Sequence, residues 1–342
     1  MRERVAIIAI NSIKISEDPF GSAFLRVLGA SMQRIFITGC SGYLAQRLID
    51  ACRADPTVEW LGGIDVRPPQ NPDSLHYFQV DVRSPEVGAL LKEHGVTTVV
   101  HLAWVFNPTH DPQREYEVDV NGSRNIFESV KKAGVPYLIY LSSTTAYGPH
   151  PDNPQIFDES YPRRGHRGYL YSKYKAEVDQ MAAQFIAENA QVHMLMIRAP
   201  IILGPHTQNI VTRMIDLPIL FGVRGYDPPM QFLHEDDLQR LLIWCVQKQP
   251  VGVFNVSGQG TIRYSEIVRH MKKPSVRLPA LLLYPALELL WKARIMPFPS
   301  SILDFIRYPW VASSEKFHAS CDFSIQHTSE EAFLAYARVH GP

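Results

Sequence analysis

The sequence has no excess of charge of either sign. Its 342 residues carry 34 Lys plus Arg against 34 Asp plus Glu, a formal net charge of zero. A nucleic-acid-binding chain would normally show a basic excess or stripe, so that class is not expected. Low self-repulsion near neutral pH leaves a homodimer open. Cysteine is scarce. Cys40, Cys52, Cys245 and Cys321 form no CxxC pair, and their spacing fits neither a zinc site nor a disulfide framework, so no metal is expected. Reduced, buried thiols of a cytoplasmic protein are the plain expectation. No apolar run reaches the ~18 residues of a membrane span. The apolar stretch 5–10 is too short for a signal peptide and is broken by Asn11 and Lys14. Internal repeats and low-complexity tracts are also missing.

What is present is alternation. Short apolar runs at 34–38, 58–65, 75–82, 97–103, 137–142 and 192–198 read as strands. Helical patterns at 43–54, 85–94, 113–133 and 167–189 fall between them. Strand–helix repetition implies βαβ units, a parallel sheet and right-handed crossovers. Beyond about Gly204 prolines cluster and the pattern loosens. A strand at 230–233, a helix at 235–247 and a strand at 253–256 are expected to rejoin the sheet. This divides the chain into an extension (1–31, expected to be poorly ordered), a nucleotide-binding domain (32–204, rejoined by 230–257) and a substrate lobe (205–229 and 258–342).

Between the first strand and first helix lies Thr38-Gly39-Cys40-Ser41-Gly42-Tyr43-Leu44-Ala45. In a GxxGxxA loop the first glycine allows a tight turn and the second lets backbone approach a pyrophosphate. The alanine lets helix pack on strand, and the helix N-terminus then faces phosphate. Asp65 ends the second strand 26 residues after Gly39, where a carboxylate accepts hydrogen bonds from ribose hydroxyls and repels a 2′-phosphate. This favours NAD, while Arg67 leaves NADP open. Asp81 and Val82 end the third strand and are expected near adenine. Leu102 and Ala103 end the fourth and would let the cofactor lie close.

The segment Tyr169-Leu170-Tyr171-Ser172-Lys173-Tyr174-Lys175-Ala176-Glu177 contains two Tyr/Lys pairs at a spacing of four, Tyr169/Lys173 and Tyr171/Lys175. Residues four apart share a helix face. A neighbouring ammonium favours phenolate and brings a phenol toward acid–base work at neutral pH. The pairs are offset by about 200°, so both cannot face one site.

With these residues the chain resembles the extended short-chain dehydrogenase/reductase family, also called the NAD-dependent epimerase/dehydratase family. The resemblance runs from about Met32 to the C-terminus. It rests on Gly39–Ala45, Leu141–Gly148, Tyr169–Glu177, Arg198-Ala199-Pro200 with Gly204-Pro205, Gln231–Leu238 and Phe254-Asn255-Val256. It implies an α/β fold of the Rossmann type, a doubly wound parallel sheet with a smaller, partly helical C-terminal lobe. The family pattern Tyr-x-x-Ser-Lys-x-x-x-Glu selects Tyr169, Ser172, Lys173 and Glu177. The catalytic hydroxyl, four residues before the Tyr of Tyr147-Gly148, is Ser143. The resemblance implies that Ser143 holds the reacting oxygen and Tyr169 exchanges its proton. Lys173 binds the nicotinamide ribose. It also implies that Gly39, Ser41, Gly42, Tyr43, Leu44 and Pro200 contact the cofactor.

Departures narrow the reading. Asp119 stands where the family often has Asn. Thr144 and Thr145 occupy the positions of a dehydratase's acidic pair, which weighs against dehydration. No Asn follows Arg198-Ala199-Pro200 as in many nucleotide-sugar enzymes, although Arg213, Arg224 and Arg263 are candidates to meet a diphosphate. A nucleotide-sugar oxidoreductase or epimerase is the first expectation, and a dehydrogenase of a lipid-, sterol- or flavonoid-like alcohol the alternative. A dinucleotide-sensing regulator is the non-enzymatic one, and the presence of Tyr and Lys speaks against it. Leucines over 278–291 are read as a helix packed on the core or on a dimer partner. The alternatives are an apolar mouth or an edge resting on membrane.

Overall fold

The computed structural model describes residues 32–341, so the expectation for residues 1–31 lies outside the described residues. Seven parallel strands form the main sheet: β1 (Gln33–Thr38), β2 (Val58–Ile64), β3 (His76–Phe78), β4 (Thr98–His101), β5 (Tyr137–Ser143), β6 (His193–Ala199) and β7 (Gly252–Asn255). Their order is β7-β6-β5-β4-β1-β2-β3. Chain direction across the sheet reverses between β1 and β4, which pair as Thr38 with His101. At such a reversal two crossovers leave in opposite directions and open a crevice at the strands' C-terminal ends.

Strand residues are apolar on both faces but divide between two cores. Ile35, Ile37, Ile139, Leu141, Leu195 and Ile197 pack with helices α1 (Tyr43–Ala54) and α5 (Glu235–Lys248). The intervening Phe36, Leu138, Tyr140, Met194 and Met196 pack with α2 (Glu86–Glu93), α3 (Gly122–Ala133) and α4 (Leu170–Glu188). The period of two thus sorts one continuous apolar run into two layers.

Three expected elements differ. The third strand is shorter than 75–82, since only His76–Phe78 pairs with β2. The helix expected over 113–133 is interrupted: Pro112–Tyr116 is α-helical, Glu117–Asn121 is a π turn, and α3 follows. Residues 252–255 do join the sheet, but the segment near 230 does not. Phe232–His234 pairs with Ile201–Leu203, and Pro229–Met230 with Ile262–Arg263, in separate two-stranded sheets. These short pairings belong to the C-terminal lobe, completed by helices α6 (Ala280–Lys292) and α7 (Ser329–His340) and the 3-10 segment Ser300–Ile306.

Candidate active site

The glycine loop has the form its sequence requires. Gly39 has φ +70°, and a Cβ there would stand 2.7 Å from the Ala103 Cα, so only glycine fits between the two strand ends. Gly42 caps α1 with no side chain over the helix end, leaving the first-turn amides free. Asp65 organises the loop beside it. Its carboxylate accepts from the amides of Ser41 (3.2 Å) and Arg67 (3.1 Å), while the Ser41 hydroxyl donates to the Arg67 carbonyl (2.5 Å). This open cradle with aligned donors fits a dinucleotide's pyrophosphate and ribose.

A cavity of about 430 Å³ runs from this loop into the C-terminal lobe. Gly39, Ser41, Gly42, Tyr43, Leu44 and Arg67 line the loop end. Leu102, Ser143, Tyr169, Tyr171 and Pro200 line its middle. Ala103 borders an adjoining recess of about 40 Å³. Asp81 and Val82, expected near adenine, stand outside this lining. Both oxygens of Asp81 are held by the Arg83 guanidinium (2.8 and 2.7 Å), and Val82 is buried against Gly122. Neither lines the cavity.

At the recess the structure brings together Ser143, Tyr171 and Lys175. The expected pair, Tyr169 and Lys173, is not brought together there. Tyr169 is not helical. It precedes α4 with φ −119° and ψ 101°, so a spacing of four does not place it above Lys173. Its ring is a cavity wall, edge-on to Phe305 at 5.5 Å. Lys173 is exposed, with its ammonium 5.5 Å from the Tyr174 ring centre, and lines neither space. Tyr171 and Lys175 lie wholly within α4 on its sheet-facing side.

The hydrogen bonds around Ser143 are directional. Its oxygen accepts from the Thr145 amide (3.2 Å) and hydroxyl (2.9 Å). Its own proton is thereby left for Tyr171, and this bond opposes the upward push of burial on the phenol's pKa. The Lys175 ammonium donates to the Leu141 carbonyl (2.9 Å) and stands 3.5 Å from the Trp104 ring centre and 5.8 Å from that of Tyr171. Burial lowers the Lys175 pKa, and the negative charges of Asp119 and Asp179 counter the shift.

Asp119 sits in the π turn. One carboxylate oxygen accepts from the Val105 amide (2.8 Å), while the other is buried without a hydrogen-bond partner. Burial raises its pKa and Lys175 opposes the rise. Below it, His101 Nε2 reaches the Ser123 hydroxyl (2.9 Å), which itself donates to the Asp119 carbonyl (2.5 Å). Nε2 therefore carries the proton. Nδ1 accepts from Thr38 (2.7 Å), whose oxygen accepts from the Ala103 amide (3.2 Å). Burial holds His101 neutral, its pKa pushed down to about 3.

Reading the helix backward finds the pair. Val178, Ala182 and Phe185 mark the buried stripe of α4, and three- and four-residue steps from Val178 lead to Lys175 and Tyr171. The same steps from the exposed Gln180 lead to Glu177 and Lys173, a more solvated face.

Two buried groups brace the site. Arg198 grips both oxygens of Asp179 (2.7 Å each) and donates to the Tyr147 hydroxyl (2.8 Å), which donates to Asn255 (2.7 Å). Glu235, at the start of α5, accepts from the Tyr43 hydroxyl and from the backbone amide (3.2 Å) and ring (2.9 Å) of His206.

The fold and loop are those of a Rossmann-type nucleotide-binding protein. The family model of the NAD dependent epimerase/dehydratase family matches residues 35–257, and the chain belongs to that family. An uncharacterised protein of Mycobacterium tuberculosis (strain ATCC 25618 / H37Rv) is 22% identical over 90% of this chain and 84% of its own length. The decarboxylating sterol-4-alpha-carboxylate 3-dehydrogenase of Candida albicans is 30% identical over 54% of this chain and 55% of its own. Among solved structures, MoeE5 in complex with UDP-glucuronic acid and NAD has TM-score 0.67 at 18% identity, covering 90% of this chain and 98% of that one.

Proposed function

We propose that the protein is an NAD-dependent oxidoreductase that moves a hydride to and from a carbinol or ketone carbon of an apolar substrate. The observation that carries this reading is the cavity wall. Beyond the glycine loop it is formed by residues such as Ile210, Met214, Met230, Ile267, Phe305 and Ile306. Among the described residues the only charged side chain lining it is Arg67, at the cofactor end. A nucleotide-sugar would bring a diphosphate into this chamber with no cation to meet it. Arg213, Arg224 and Arg263 are all exposed and none lines the cavity. The sterol dehydrogenase relative is in keeping with an apolar substrate.

Gly39, Ser41, Gly42, Tyr43, Asp65, Leu102, Ala103, Lys175 and Pro200 would hold the dinucleotide. When bound it supplies the hydride donor and acceptor. Ser143 orients the substrate oxygen, and the Tyr171 hydroxyl exchanges the proton with it. The Lys175 ammonium favours the phenolate through its charge. Asp119 stabilises that charge from behind. The cavity has no carboxylate among its described lining residues, so it offers no acidic pair for dehydration, in keeping with Thr144 and Thr145.

The test is turnover by purified protein with NAD or NADP on long-chain and polycyclic alcohols and ketones beside UDP-sugars, followed by NADH or NADPH absorbance and product separation. Turnover of apolar carbinols with NAD, lost in Tyr171→Phe, is expected. Turnover confined to UDP-sugars would overturn the substrate reading.

A further inference from the structure

Helix α6 is apolar on both of its faces. Leu283 and Leu287 are buried in the lobe core, yet Leu281, Leu282 and Leu289 on the opposite side are 84%, 60% and 69% exposed. Pro285 and Ala286 between them are exposed too, and Ile295 just beyond the helix is 68% exposed. A helix apolar all round is ordinarily buried. Here only one side has found a partner.

The location of this face matters. The inner face of α6 packs in one core with Met230, Ile267 and Ile306, which line the substrate cavity. Trp291 of α6 stacks at 3.9 Å on His110, a short step from Phe106 and Asn107, which line the same cavity. The exposed leucines are therefore on an element that packs behind the chamber wall without lining it. Charge sets the kind of partner. The only charged residues of α6 are Glu288 and Lys292, which pair at 3.8 Å, and the other Glu288 oxygen accepts from the Ser300 hydroxyl (2.8 Å). Lys292 and Arg294 are exposed at the C-terminal end, and the Arg294 side chain has no ion-pair or hydrogen-bond partner among the described residues, so this end is net positive. Exposed leucines edged by cations complement the headgroup and acyl boundary of an anionic bilayer. No described helix is long and apolar enough to cross a membrane. At 13 residues α6 fits lying on one.

We propose that the outer face of α6 docks the protein on an anionic lipid surface, bringing the apolar chamber near the bilayer that holds its substrate. The docking itself follows from α6; the delivery of substrate rests on the apolar-substrate reading.

The test is flotation of the full chain with vesicles of phosphatidylcholine alone and of phosphatidylcholine with phosphatidylglycerol. Wild type, Leu282→Glu/Leu289→Glu and Lys292→Glu/Arg294→Glu are compared, with NADH binding and melting as controls for folding. The expected result is co-flotation of wild type with anionic vesicles, weakened by salt and reduced at least about tenfold in both variants. Equal flotation of all three proteins, or none of wild type, overturns the proposal. So does a wild-type dimer that the leucine variant dissolves without any vesicle binding, since the occupant is then a second copy. Turnover of a short, water-soluble carbinol should be the same in wild type and both variants. Vesicle binding without any carbinol turnover would refute the enzymatic reading while leaving the docking intact.

Discussion

The Lys175 ammonium lies 3.5 Å from the centre of the Trp104 ring, in a site from which water is almost wholly excluded. A cation so placed is held by the ring's negative face and by the Leu141 carbonyl. It retains donor capacity for a ribose hydroxyl. Lys175→Met keeps the bulk and removes the charge. It should abolish turnover and weaken dinucleotide binding, whereas Lys173→Met should leave both unchanged. Fluorescence titration with NADH and steady-state rates check this.

The two tyrosines should separate in the same way. Tyr171→Phe removes the hydroxyl that accepts from Ser143 and exchanges its proton with the substrate oxygen, and kcat should fall about 10²–10⁴-fold with NADH binding retained. Tyr169→Phe removes a hydroxyl from a cavity wall and should affect substrate KM more than kcat. A dead Tyr169→Phe beside an active Tyr171→Phe would return the assignment to the family pattern.

Gly39→Ala forces a Cβ to 2.7 Å from the Ala103 Cα at a positive φ. Backbone must move on one side or the other, so the cradle distorts. Loss of NADH binding with only modest loss of melting temperature is expected. Tight binding by this variant would show that the loop does not hold the cofactor.

The Arg198–Asp179 pair is buried and doubly hydrogen bonded. Asp179→Ala leaves a guanidinium buried without its counter-charge, which costs about 3–5 kcal/mol. Urea unfolding measures this directly. A loss below about 1 kcal/mol would show that Tyr147 and water suffice for Arg198.

His101 predicts a pH dependence. Its pKa falls from 6.5 in the unfolded chain to about 3 in the folded one. Between these values the unfolded chain binds a proton that the folded one does not, so stability is full above pH 6.5 and declines as pH falls toward about 3. His101→Gln should remove about 1.4 kcal/mol per pH unit from the acid slope of wild type. Unfolding free energies measured across that window, wild type against variant, give the difference.

The sheet was legible because its signals are local. Runs such as 137–141 are aliphatic and aromatic throughout, and glycines at 39 and 42 sit where a strand must turn tightly into a helix. The site was less so. Tyr169 and Lys173 fit a pattern, but the pattern assumes that α4 already includes residue 169. Its first helical residue is Leu170. The π turn at Glu117–Asn121 has no sequence mark, since it is fixed by burial of Asp119 against the Val105 amide. The lobe was least legible. Its strands are two to four residues long and pair across the chain, Pro229 with Arg263 and Val311 with Ile156, so no short window contains them.

Glu235 ties Tyr43, the first residue of α1, to His206, at the threshold of the C-terminal lobe. One carboxylate thus joins the glycine-loop end of the cavity to its apolar end. A dinucleotide that orders Tyr43 should favour substrate through Glu235, and reciprocity then requires substrate to tighten the dinucleotide by the same factor. Glu235→Gln should weaken that coupling, so that the affinity for each ligand no longer depends on the other.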